Sequence, residues 1–144
     1  MTAEVLENAL IEAIRDVGLE AGPFSEPISP NPNETKTRVR VGYRGIESVA
    51  RDCSGARSEQ VWRIEIRIAG PALRGAEGVY DCSERIRNRL EGYAFPGAPA
   101  SLELEKEVPT DESDGIWRFD QHWKLKCILF HERQDPFFDR PLGA

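Results

Sequence analysis

From Ile116 to Phe130 the residues IWRFDQHWKLKCILF separate into two faces. Trp117, Phe119, Trp123, Leu125, Cys127 and Leu129 fall on one side, and Arg118, Asp120, His122, Lys124 and Lys126 on the other. This is the period-2 signature of a strand with one buried face. The run is long, because globular strands usually span about five or six residues. A small sheet would therefore leave part of it overhanging, and an overhanging strand meets something.

The rest of the chain supplies the partners of that strand. Thr2 can cap a helix carrying Leu6, Leu10, Ala13, Ile14 and Val17 at helical spacing, with Glu4 in its first turn and Gly18 after its end. Residues 20–34 hold Pro23, Pro27, Pro30 and Pro32, which excludes regular structure through most of the segment and predicts an extended connector. Alternation starts at Thr37, with Val39, Val41 and Tyr43 on one side, and repeats at Trp62, Ile64, Ile66 and Ile68. The polar stretch from Arg44 to Gln60 between them predicts a loop, longer than a tight hairpin needs.

A second helix is predicted from about Ala76, where Val79, Cys82, Ile86 and Leu90 form a stripe that ends at Gly92. Leu102, Leu104 and Val108 alternate with Glu103, Glu105 and Glu107 in a third strand, and the turn at residues 110–115 leads into the long strand. The order helix-strand-strand-helix-strand-strand predicts a two-layer α+β domain over residues 1–132. Its antiparallel sheet has about four strands, with two helices on one face. Residues 133–144, with Pro136, Phe137, Phe138 and Pro141 among charges, read as an extended C-terminal tail that lies on a surface.

At 144 residues the chain is large enough for one domain with a real core, since folding at this size hides roughly 68–70% of the unfolded surface. Cys53, Cys82 and Cys127 are odd in number and widely spaced, so neither a disulfide framework nor a zinc site is suggested, and the chain reads as made in a reducing cytosol. No apolar run approaches the ~20 residues that span a bilayer, and no signal peptide is evident. The formal charge of −6 disfavours general binding to nucleic acid.

Catalytic motifs were sought at each plausible position. Gly70, Gly75 and Gly78 lack both a GK[ST] and a G-x-G pattern, so they shape a turn and do not cradle phosphate. Asp120, His122 and His131 offer no ligand spacing and no nucleophile to complete a triad, and read as polar-face residues. Trp62, Trp117 and Trp123 share the apolar faces and read as core, which leaves no stacking platform for bases. Cys53 alone among the cysteines lies off an apolar stripe, and Asp52 opposes the arginines Arg51 and Arg57 near it. No cofactor, metal site or enzymatic activity is expected. The acidic run Glu103, Glu105, Glu107 is open to two readings, a solvated edge that blocks unwanted pairing and a negative wall past which nucleic acid slides.

The helix containing LIEAIRDVGL, the two charged hairpins, the helix AEGVYDCSERIRNRLEGY and the strand DGIWRFDQHWKLKCILF together resemble the Mu-like phage proteins of the tail terminator class. The resemblance covers roughly Ala3 to Phe130 and is one of element order and texture. It implies an α+β fold, no enzymatic activity, and a hexameric homo-oligomeric ring. The ring caps the tail tube, stops polymerisation, meets the head-side connector or neck protein, and touches the sheath in contractile tails. It also implies a virion location in the tail or neck after assembly in the host cytoplasm, with DNA passing through the lumen unbound.

On that reading Arg44, Glu47, Arg51 and Arg57 are the candidate docking loop for tube or sheath, and Glu103, Glu105 and Glu107 are the candidate lumen-facing acids. Asp111, Asp114, Arg118, Phe137 and Phe138 are the candidate subunit interface, where an edge or overhanging hairpin reaches the next copy. Three other readings were weighed: a head-to-tail adaptor or other neck protein, a small cytosolic protein-binding module, and a hydrolase using Asp120 and His122.

Overall fold

The Thr2 side chain accepts a hydrogen bond from the Val5 amide at 3.2 Å, and the helix it caps, α1, runs Ala3–Arg15. The computed structural model describes residues 2–26, 28, 36–51, 57–94 and 101–130. Beyond α1 these residues form β1 (Glu20–Pro23), β2 (Arg38–Arg51), β3 (Arg57–Gly70), α2 (Val79–Leu90), β4 (Leu102–Ser113) and β5 (Ile116–Phe130).

The sheet has five strands in the order β1-β2-β3-β5-β4, one more than expected, and it is mixed. β1 pairs parallel with β2, Glu20 opposite Arg38 through Pro23 opposite Val41. It lies within the segment read as a connector. Four residues carry almost no periodicity, and a parallel pair is made with chain far along the sequence, so neither local pattern nor turn chemistry announces it. Pro23 sits where proline is tolerated, at the end of an edge strand. The other pairs are antiparallel, and the two expected hairpins, β2–β3 and β4–β5, are both present.

β5 has the predicted bounds, but its length is not surplus. It pairs with β3 continuously, from Trp117 opposite Gly70 to Phe130 opposite Arg57. β3 is equally long because the expected loop from Arg44 to Gln60 is largely strand: β2 continues to Arg51 and β3 begins at Arg57. Two bulges, at Tyr43/Gly45 and Ser48/Ala50, break the alternation by inserting an extra residue, and a period-2 reading therefore stops at the first of them. Gly45 takes φ 119° there.

β4 likewise runs on through the expected turn, which shrinks to Asp114 and Gly115. Both have positive φ, 54° and 79°, as a two-residue hairpin of primed type requires, and Asp-Gly is a preferred pair for it. Pro109 lies within β4, which is possible because that strand is an edge.

Both helices cover one face. Leu6, Leu10, Ala13 and Ile14 of α1 and Val79, Cys82, Ile86 and Leu90 of α2 are buried against Val39, Val41, Ile64, Ile66, Ile68, Trp123 and Leu125 of the sheet. Trp62 and Trp117 are partly buried against the same core, so the aromatic stripe is packing, as the alternation implied. Ile46, on the helix face of β2 opposite Trp62, is 43% exposed, so the helical layer stops short of it.

This gradient is testable by thermal or urea denaturation. Trp123→Ala, which empties a fully buried site, is expected to cost about 3–5 kcal/mol. Ile46→Ala is expected to cost less than about 1 kcal/mol.

Candidate functional site

The face of the sheet opposite the helices carries a lattice of charge laid down by the odd residues of β3 and the even residues of β5. Arg63 stands opposite Lys124, Glu65 opposite His122, and Arg67 opposite Asp120. Across the strands Arg44 Nε pairs with Glu65 at 2.6 Å and Arg63 with Glu47 at 3.2 Å and with Glu105 at 2.6 Å, while along β5 Arg118 pairs with Asp120 at 3.2 Å. Burial pushes the Glu65 carboxyl up, yet the hydrogen bond and charge of Arg44, with the charges of Arg67 and His122, outweigh it and hold the group below the usual glutamate range. The hydrogen bond from Arg63 holds Glu105 down as well.

One apolar side chain enters this lattice. Phe24, whose amide donates to the Val41 carbonyl just past β1, lies over Gly42, where a Cβ would collide with the ring. The guanidinium groups of Arg44 and Arg67 sit 4.7 and 4.6 Å from its centroid. A cation over an aromatic face is attracted by the ring quadrupole, so Phe24 fixes two arginines that alternation alone would leave loose. The sequence reading passed over Phe24 because it stands among prolines.

The three glutamates of β4 do not share a face. A bulge between Leu104 and Lys106 shifts the register. Glu103 consequently lies opposite Lys124 on the open face, its carboxylate 3.8 Å from that ammonium, while Glu107 lies opposite Gln121 on the helix face. There Glu107 accepts from Arg87 of α2 at 2.9 Å through both oxygens, from Ser83 Oγ at 2.9 Å and from Gln121 Nε2 at 2.9 Å. Gln121 in turn donates to the Ser83 carbonyl at 3.1 Å and accepts from Trp123 Nε1 at 3.0 Å. With Glu107 turned inward and Glu105 paired to Arg63, β4 presents no continuous acidic wall. Its bulge, its charges and Pro109 are devices that protect an edge strand.

The signal for this polar cluster was present in the sequence. Gln121 is the one polar residue on the buried side of β5 between Phe119 and Trp123, and a buried amide needs partners.

The other candidate residues fall as follows. Arg44 and Glu47 are on β2 and already paired, while Arg51 and Arg57 end β2 and begin β3 on either side of the hairpin tip. The stretch read as a long docking loop is thus mostly strand. Asp111 lies on β4, Asp114 in the β4–β5 turn and Arg118 early in β5, all at one end of the sheet. Phe137, Phe138, Cys53 and His131 lie outside the described residues. Asp120 and His122 alternate on one face of β5, but Asp120 accepts from Arg118 and His122 stands opposite Glu65. Among the described residues no three His, Cys, Asp or Glu side chains converge as a metal site would require, and Cys82 and Cys127 are buried thiols with pKa values raised by that burial. The arrangement offers a patterned contact surface.

Residues 31–136 match the family model described as Gp37 protein, and the chain belongs to that family. Among solved structures it is similar to a chain of the virion of a native gene transfer agent particle, with 15% identity and a TM-score of 0.51 over 83% of this chain and 84% of that one; the likeness is one of fold. No curated protein matches the chain.

Two measurements check the site. Glu107→Gln weakens four charge-assisted bonds in a largely buried cluster and is expected to cost about 1–3 kcal/mol, whereas Glu103→Gln, at an exposed pair, is expected to change stability by no more than about 0.5 kcal/mol. Because the folded-state pKa of Glu65 is depressed, its stabilising contribution is present above the ordinary glutamate pKa and is lost as pH falls through the folded value. Melting temperature is expected to fall on acidification below about pH 4.5, with a shallower acid limb in Glu65→Gln.

Proposed function

We propose that this protein is a structural component of a phage-like particle and acts as a tail terminator. On this reading it is a ring of identical subunits that caps the tail tube, stops tube and sheath polymerisation and meets the head-side connector. The observation that carries the reading is the fold, which over most of both chains is similar to that of a chain of a gene transfer agent virion.

The open face supports it. Cross-paired charges of both signs give a surface that selects a partner by pattern without strong general attraction to DNA. Glu103 and Glu105, at the β4 edge, are the acids left to face a lumen. On this reading the end of the β2–β3 hairpin that carries Arg51 and Arg57 docks on tube or sheath, and the β4–β5 turn with Asp114 and Arg118 contacts the next subunit.

Mass measured by light scattering, together with localisation by electron microscopy of particles carrying a labelled chain, tests the reading. A ring with six copies at the tube end is expected. A strict monomer on tube ends, or label along the tube or on the capsid, overturns it.

A further inference from the structure

Where β3 ends beside the β4–β5 turn, the open face holds a groove of about 340 Å³. Phe24, Ile28 and Ile116 give it an apolar lining, and Arg40, Arg67 and Arg118 a basic one. Asp114 is the single acid among the lining residues, while Glu20, Glu65 and Asp120 behind them pair with Arg40, Arg67 and Arg118. Arg40 is occupied: it donates to Glu20, to the Val39 carbonyl and to the Glu26 carbonyl. Arg67 and Arg118 are not used up. The buried Nε of Arg67 makes no hydrogen bond, its carboxylate contact being Glu65 at 3.6 Å, and Arg118 is half exposed with one carboxylate contact at 3.2 Å. A buried donor without an acceptor is costly, and a carboxylate arriving from outside would satisfy it. The occupant this lining fits is an extended segment with aromatic side chains flanked by acids.

The chain carries one such segment outside the described residues, Asp135-Pro-Phe-Phe-Asp139. It cannot reach the groove of its own subunit. Arg118 and Phe130 are separated by twelve strand steps, or ~40 Å at about 3.3 Å each. The seven steps from Phe130 to Phe137 reach at most ~25 Å. A groove for it must then come from a second copy.

We propose that the tail segment Asp135–Asp139 of one copy docks in the groove of a second copy, with Phe137 and Phe138 against Phe24, Ile28 and Ile116 and an aspartate on Arg67 and Arg118. The proposal rests on the multi-copy reading above. It makes the tail the clasp between neighbouring subunits, acting at the opposite end of the sheet from where the tail departs.

The test uses the full chain in a Cys53→Ser background, which leaves only the buried Cys82 and Cys127. One tagged form carries Ser113→Cys at the groove rim, a differently tagged form carries Phe138→Cys, and the two are mixed and oxidised. A disulfide joining the two tags is expected. Arg118→Glu in the first form should lower its yield about tenfold, and Asp139→Arg in the second should restore it. Retained melting temperature shows that each variant folds. No cross-link, or one indifferent to Arg118→Glu, overturns the docking, as does a double variant that closes only on itself. Mass is read on the same samples, so an intact ring without the cross-link discards the clasp and leaves the ring.

Discussion

The rest of the structure hangs on the ladder between β3 and β5. It runs without a register break from Arg57–Phe130 to Gly70–Trp117, although these strands are separated in sequence by α2 and β4. Pairing at that separation carries a loop-closure cost before it returns anything, and its compensation lies on one face. Trp62, Ile64, Ile66 and Ile68 meet Leu125, Trp123, Gln121 and Phe119 directly across the strands. A slip of one residue would turn every one of these to solvent, so the hydrophobic pattern fixes the register and the register fixes the charges behind it. The positions of Arg63, Glu65 and Arg67 relative to Lys124, His122 and Asp120 are a consequence of core packing.

The second constraint is the way a bulge converts an edge strand into a tie between layers. Without the break at Leu104/Lys106, Glu107 would continue the exposed row of Glu103 and Glu105. With it, Glu107 reaches under α2 and accepts from Arg87, Ser83 and Gln121. A carboxylate there is tolerable only because α2 and β5 together supply its donors; a partly satisfied cluster would be worse than an apolar one. The cluster also orients Trp123, the largest fully buried side chain, through its indole N–H. One inserted residue thus joins α2, β4 and β5 while the outer end of β4 remains charged enough to resist unwanted pairing.

Sequence pattern was legible wherever the period held. The stripes Leu6, Leu10, Ile14 and Val79, Cys82, Ile86, Leu90 gave both helices, and β5 was readable to its last residue because no bulge breaks its register with β3. It failed at bulges, which shift the phase by one residue while leaving composition unchanged. That is why residues 44–60 read as a loop and why three glutamates at i, i+2, i+4 read as one acidic face. β1 was illegible for a different reason: four residues, one a proline, acquire strand geometry only from the β2 edge. Phe24 and the arginines around it follow from β1, so the candidate site was legible in its residue types and not in its pairings.

Those pairings determine what kind of recognition the open face performs. Had its charges been free, it would attract any surface of opposite sign at long range. Because Arg44, Arg63 and Arg118 already hold Glu65, Glu105 and Asp120, an approaching partner must match a spatial alternation of sign or strand a desolvated charge, which costs more than a new pair returns. Such a face discriminates strongly and adheres weakly. Strong adhesion to any partner must therefore come from elsewhere on the molecule. The place where the lattice is least complete, at Arg67, whose Nε makes no hydrogen bond, beside the apolar surface of Phe24 and Ile116, is where burial of aromatic surface and a further hydrogen bond are available to the same incoming segment.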